Sequence, residues 1–190
     1  MANDCPSYYC GDEWDDLPDT LCPERFNSGI SAMILLRCGV ERDDLVQDGD
    51  PTLLDEAKIA ALIAGNDARL IKNIQVTINA PSEETADILD PCSPDVAINY
   101  TRTLTIEDPN VTEERRSFWS SVNSANRFPN GGALFYECDA ERITYVDTSL
   151  SISGGRETGA KSTELQKFTL TGTYRNRNDA EIFANADIFN

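Results

Sequence analysis

Three stretches of this chain alternate apolar and polar residues with a period of two. Ile74, Val76 and Ile78 alternate with Gln75, Thr77 and Asn79; Ile98 to Ile106 sets Asn99, Thr101, Thr103 and Thr105 against an apolar face; Phe168 to Tyr174 sets Thr169, Thr171 and Thr173 against another. Successive side chains of a strand point to opposite faces, so this period demands half-buried β-strands, and no helix can bury such a face. The run Ile30-Ser31-Ala32-Met33-Ile34-Leu35-Leu36-Arg37-Cys38 is apolar almost throughout, which predicts a strand covered on both sides. Further strands are expected at Ala133 to Cys138, Ile143 to Val146 and Leu150 to Ile152.

Two helices interrupt the strands. Ala57, Ala60, Ala61 and Ala64 with Leu53, Ile59 and Ile63 have helical spacing, Thr52 with Asp55 fits a capping box, and Gly65-Asn66 stops the segment, giving a helix near 53–64. Asn110 three residues before Glu113 suggests a second capping box, and Phe118, Trp119 and Val122 supply a buried side for a helix near 113–125. Residues 80–96 and the segment from Gly154-Gly155 to Ser162 are expected to be loops. The expected architecture is α+β or mainly β: an antiparallel β-sandwich or partly closed barrel over 29–190, with one or two flanking helices and an extended, acidic, Cys-rich N-terminal arm over 1–28.

That arm carries Asp4, Asp12, Glu13, Asp15, Asp16 and Asp19 ahead of any basic residue, with Tyr8, Tyr9 and Trp14 between them. Aromatic anchors in a stretch too polar to build a core fit either an arm that docks on a neighbouring subunit or one packed on its own domain. Arg115-Arg116 and the Arg175 and Arg177 pair are rare positive points on an acidic chain. They are candidates for ion pairs with a neighbouring subunit's arm, or simple solvated charges.

Composition removes several functions. With 33 acidic residues against 16 basic ones and a formal charge of −17, the chain is not suited to grip nucleic acid, whose binding rests on Lys and Arg contacts to phosphate. There is no histidine, so neither a Ser-His-Asp nor a Cys-His arrangement can form, and no phosphate-binding glycine motif is present; no enzyme is expected. No apolar run approaches the ~18 residues a membrane span needs, and Met1-Ala2-Asn3-Asp4-Cys5 does not begin a secretory leader. Asn99-Tyr100-Thr101 and Asn110-Val111-Thr112 match the glycosylation pattern only formally. The acidic segment Glu41 to Asp50 lacks the ligand order of a calcium loop and reads as solvated.

Six cysteines stand at 5, 10, 22, 38, 92 and 138. Cys5, Cys10, Cys22 and Cys38 could form a four-thiolate zinc site, although no C-x2-C pair is present; disulfides and small buried thiols are the alternatives. No cofactor other than such a structural zinc is expected.

The order of these elements resembles structural proteins of tailed bacteriophages. The resemblance rests on the cysteine-rich start leading into Gly29-Ile30-Ser31, the alternating strand ending Ile106-Glu107-Asp108, the helix around Ser117 to Asn123, and the ending Phe168 to Tyr174 before Ile182-Phe183. It covers about 28–190 and is most similar to major tail tube proteins. It implies a virion protein, made and assembled in the host cytoplasm, that forms stacked homo-oligomeric rings and contacts other virion proteins. It also implies an acidic, DNA-conducting lumen without sequence-specific nucleic-acid binding. Thr101, Thr103, Thr105, Thr169, Thr171 and Thr173 would face that lumen. A capsid decoration or connector-ring protein, or a ligand-binding β-sandwich module, are the other readings.

Overall fold

The structure, a computed structural model, describes residues 30–79, 82–86, 96–125, 131–137, 142–157, 166–175, 181–184 and 187–189. The arm at 1–28, most of the 80–96 segment, 158–165, and with them Tyr8, Tyr9, Trp14, Arg177, Cys5, Cys10 and Cys22, lie outside the described residues.

Among the described residues ten strands and two helices follow in the order β1 (Ile30–Leu36), β2 (Val46–Gln47), β3 (Asp50–Leu54), α1 (Glu56–Ala64), β4 (Ala68–Ile78), β5 (Ser82–Ala86), β6 (Val96–Asp108), α2 (Glu113–Ala125), β7 (Gly131–Glu137), β8 (Arg142–Glu157), β9 (Lys167–Arg175) and β10 (Glu181–Ala184). Short 3-10 turns lie at Arg42–Asp44 and Asp187–Phe189. The described structure is therefore mainly β, with two helices.

Strand pairing runs β7-β1-β4-β6-β9-β8 and returns to β7, all antiparallel, so six strands close on themselves. Two long strands make the closure possible. The first part of β8 pairs with β7 and its last part, from Ser151, with β9. Likewise β6 holds β4 on one side and β9 on the other. β5 and β10 add to these long strands, β5 on β6 and β10 on β8.

A six-stranded closure leaves an interior that side chains fill, not a channel. Met33 and Leu35 of β1, Ile71, Ile74 and Val76 of β4, Leu104 and Ile106 of β6, Phe135 of β7, Val146, Leu150 and Ile152 of β8, and Phe168, Leu170 and Tyr174 of β9 form it. α2 follows β6 and delivers Phe118, Trp119 and Val122 into the same cluster.

A second apolar cluster lies on the opposite side of β1, where Ala32, Ile34 and Leu36 meet Leu45, Val46, Leu54, Ile59, Leu134, Ile143, Tyr145 and Phe183. The segment from Val40 through α1, with β10 and Phe189, thus forms a cover over β1 and its neighbours. β1 is buried on both faces, which explains its unbroken apolar run; each fully buried Leu or Ile contributes about 1.5–3 kcal/mol.

Local details correct several expectations. α1 is capped by Asp55, whose carboxylate accepts from Ala57 N at 2.9 Å and Lys58 N at 3.1 Å, while Thr52 belongs to β3. The short side chain that first reaches the free N–H groups wins the cap. At α2 the acceptor for Arg115 N is the Thr112 hydroxyl, 3.2 Å away, in place of Asn110. β8 runs without a break from Arg142 to Glu157, so the two expected strands are one and Gly154-Gly155 lies within it. Gly154 has φ of 146°, and a Cβ there would sit 2.5 Å from Thr169 O, so the close approach of β9 demands glycine. β4 starts at Ala68, six residues before its visible alternation. Asn73, with φ of 64°, shifts the parity: Ile71 faces inward before it, Ile74 and Val76 after it.

Candidate assembly face

The cover leaves the outer side of β4, β6, β9 and the end of β8 without a packed layer among the described residues. There the alternation that buries Leu104, Ile106, Leu170 and Ile152 turns the intervening residues outward. The register aligns them in rows. Thr77 lies opposite Thr105, Thr105 opposite Thr171, and Thr171 opposite Ser153, one hydroxyl from each of four adjacent strands. The next row holds Thr103, Thr173 and Ser151. On the other side Gln75, Glu107, Thr169 and Gly155 form a third row. Neighbouring strands are ~4.8 Å apart and same-face residues of a strand ~6.8 Å apart, so these rows make a lattice of hydroxyls and methyls.

Thr77, Thr171, Thr173 and Ser153 are exposed, whereas Thr101, Thr103, Thr105 and Thr169 are half-buried by their neighbours. The Thr169 hydroxyl oxygen is shielded from solvent. The six threonines expected to act together therefore do share one face, with Thr77, Ser151 and Ser153 as members that sequence reading missed. Their signal was present in the register, which no single strand reveals.

Charge is sparse on this face. Glu107 is ion-paired with Lys167, and Arg175 stands opposite Thr101 at one end. Acid gathers on the cover instead: residues 41–67 hold Glu41, Asp43, Asp44, Asp48, Asp50, Asp55, Glu56 and Asp67 against Arg42 and Lys58. Part of that acid is locally tied. The Lys58 ammonium donates to Asp48 Oδ1 at 2.7 Å and to Val46 O at 3.0 Å, which holds the Asp48 carboxyl below its usual range and raises Lys58. The Thr52 hydroxyl and N–H lower Asp50 in the same way. Among the described residues the threonine face is thus hydroxylic and close to neutral.

Arg115 is not available to a neighbouring subunit. It is 3% exposed, its Nη1 lies 3.5 Å from Asp108 Oδ2, and its Nη2 donates to Lys72 O at 3.2 Å. Asp108, fully buried at the end of β6, also accepts from Trp119 Nε1 at 2.8 Å and from Asn110 N at 2.9 Å. Burial raises its carboxyl pKa, and Arg115, Trp119 and Asn110 only partly counter that shift. A charged pair at a strand end followed by a helix is sealed inward because its partners lie on both elements. By contrast, Arg116 is exposed and 3.4 Å from Glu113 one turn earlier, a solvated contact. Arg175 is exposed on β9.

Cys38 follows β1 and is disulfide-bonded. Cys5, Cys10 and Cys22, the other members of the expected four-cysteine zinc set, lie outside the described residues. No group of three or more Cys, Asp or Glu able to hold a metal occurs among the described residues. No helix among them is long and apolar enough to cross a membrane. No protein-family model, no curated protein and no solved structure matches the chain.

Proposed function

We propose that this chain is a structural subunit of a bacteriophage particle, of the tail-tube type, which self-associates into stacked rings with the threonine face turned toward the bore. The observation that carries this reading is the alignment of hydroxyl side chains from β4, β6, β9 and β8 into one nearly neutral face that no other described residues cover. A passage for DNA needs water-like contacts without cationic grip, because Lys and Arg hold phosphate. A threonine lattice supplies hydroxyls and no positive field. The net charge of −17 further disfavours adhesion of a polyanion to the assembled particle. The acid concentrated on the cover would then lie away from the bore, so that hydroxyls, not carboxylates, line it.

Negative-stain electron microscopy of the purified chain over a concentration series, with and without residues 1–28, tests the proposal. Rings or tubes with a central hole are expected, weakened by the truncation. Persistent monomers would remove it in favour of a capsid decoration protein, for which binding to preformed capsids is the readout. Within any tubes formed, Thr171→Arg should cause nucleic acid to be retained, since it adds one phosphate-binding charge per subunit to the bore.

A further inference from the structure

The tip of the cover sets an electrophile beside a nucleophile. Gln47 of β2 pairs with Asp50 of β3, so Asp48 and Gly49 alone make the turn between the two strands. Gly49 has φ of 93°, a conformation that favours glycine, and nothing lies within 4 Å of where a Cβ would stand. The Asp48 side chain is 94% exposed. With no Cβ on the following residue, the Gly49 nitrogen can approach the carboxyl carbon of Asp48 unobstructed.

The reaction open to this pair is a ring closure without change of oxidation state. Gly49 N bonds to Asp48 Cγ, the amide proton and a carboxyl oxygen depart as water, and a five-membered succinimide forms. Water then opens the ring at either carbonyl. Opening at the side-chain carbonyl restores Asp48; opening at the main-chain carbonyl leaves Gly49 joined through the side-chain carbon, an isoaspartyl linkage. Closure proceeds from the neutral carboxyl, because a carboxylate is a poor electrophile.

Lys58 opposes closure in two ways. From the first turn of α1 its ammonium donates to Asp48 Oδ1 at 2.7 Å and is itself fixed by Val46 O at 3.0 Å, which ties the carboxylate to the helix. The same contact holds the Asp48 carboxyl below its usual range, so a smaller fraction is neutral at any given pH. Asp44 and Asp55 also act on Lys58 and keep it charged.

We infer that Asp48-Gly49 is a site of spontaneous isoaspartyl formation and that Lys58 is the clasp that restrains it. The rearranged linkage adds one carbon to the main chain of the turn and frees an α-carboxylate, the group that methyltransferases acting on isoaspartate modify with S-adenosylmethionine. Val46 and Leu54 on either side of the turn are buried in the second apolar cluster, so the altered turn strains the cover from its tip. This inference stands apart from the assembly proposal.

Full-length protein incubated for weeks at neutral pH, folded or in guanidinium chloride, is digested with trypsin, which releases Asp48 in the peptide 43–58. Electron-transfer fragmentation distinguishes the two linkages in that peptide and separates them from Asn130-Gly131, where related chemistry expels ammonia. Isoaspartate at residue 48 should form several-fold more slowly in the folded chain than in the unfolded one. Lys58→Met, folded by circular dichroism and read in the peptide 43–69, should close most of that gap; Lys58→Arg should restore the slow rate. High salt on the unsubstituted protein screens the exposed pair and should also accelerate the reaction. Asp48→Glu, which cannot close a five-membered ring, should abolish the product. Equal rates in the folded and unfolded chains, or a rate unmoved by both Lys58→Met and salt, overturn the inference, as does the absence of isoaspartate at residue 48 in every form.

Discussion

The indole Nε1 of Trp119 donates to Oδ2 of Asp108 across 2.8 Å inside the protein, tying α2 to the end of β6. Arg115 approaches the same oxygen to 3.5 Å, so one carboxylate joins a strand, a helix and, through Lys72 O, a second strand. Removing one member of a buried ion pair strands the other charge at a cost of about 3–5 kcal/mol. Asp108→Asn should lower stability in urea by that order, and Asp108→Asn with Arg115→Met should recover much of the loss. Trp119→Phe, which deletes one hydrogen bond to a charged group, should cost about 1.5–3 kcal/mol.

The same carboxyl has a pH signature. Burial raises the Asp108 pKa above its ordinary 3.8, so the folded protein holds this proton more tightly than the unfolded chain. Its contribution to stability therefore grows as pH falls through the folded pKa toward the unfolded one, and is lost as pH rises back through that window. Carbon-13 NMR of the side-chain carboxyl should show Asp108 titrating above 3.8, whereas Asp48 and Asp50 titrate below it.

Asp55→Ala should cost about 1 kcal/mol, the usual loss when an N-cap acceptor is deleted, and Asp55→Ser should restore most of it. Thr52→Ala should change stability by less than about 0.5 kcal/mol, because Thr52 is exposed and caps nothing. Urea midpoints of the three variants separate these outcomes.

The glycines of β8 and β9 provide a paired test. Gly172→Ala would place a Cβ 2.6 Å from Leu104 Cδ1, a side chain that can yield, and should cost about 1–3 kcal/mol. Gly154→Ala meets backbone at 2.5 Å and should cost more than Gly172→Ala. Gly155→Ala meets nothing within 4 Å and should be nearly neutral. In thermal melts Gly155→Ala should keep the highest midpoint, Gly172→Ala should fall below it, and Gly154→Ala should be lowest.

Much of this fold is visible in side-chain period because burial is one-sided where the strands alternate and two-sided where they do not. β9 and the second half of β6 alternate cleanly since only their inner faces are covered, and β1 is continuous since both are. The first half of β4 stayed hidden because the shift at Asn73 reverses which residues face inward, so Leu70-Ile71 and Ile74 share no simple period. The glycine pair in β8 mimics a turn but serves a close strand crossing. The threonine face was half legible: each strand declares its own threonines, whereas Thr77 and Ser153 join only through pairing across the sheet. Arg115 reads as a surface charge beside Arg116 because its partners, Asp108 and Lys72 O, are set by the third dimension.

Pairing of β1 with both β4 and β7 has a consequence for how the chain matures during synthesis. Ala68 to Val76 emerges from the ribosome soon after β1, but Gly131–Glu137 lies about a hundred residues behind it, roughly 5–20 s at ordinary elongation rates. One edge of the most apolar strand in the chain must wait that long for its partner. Contacts so distant in sequence also slow folding once the chain is complete. Nascent chains halted shortly before residue 131 should therefore be the form most prone to aggregate or to engage a chaperone.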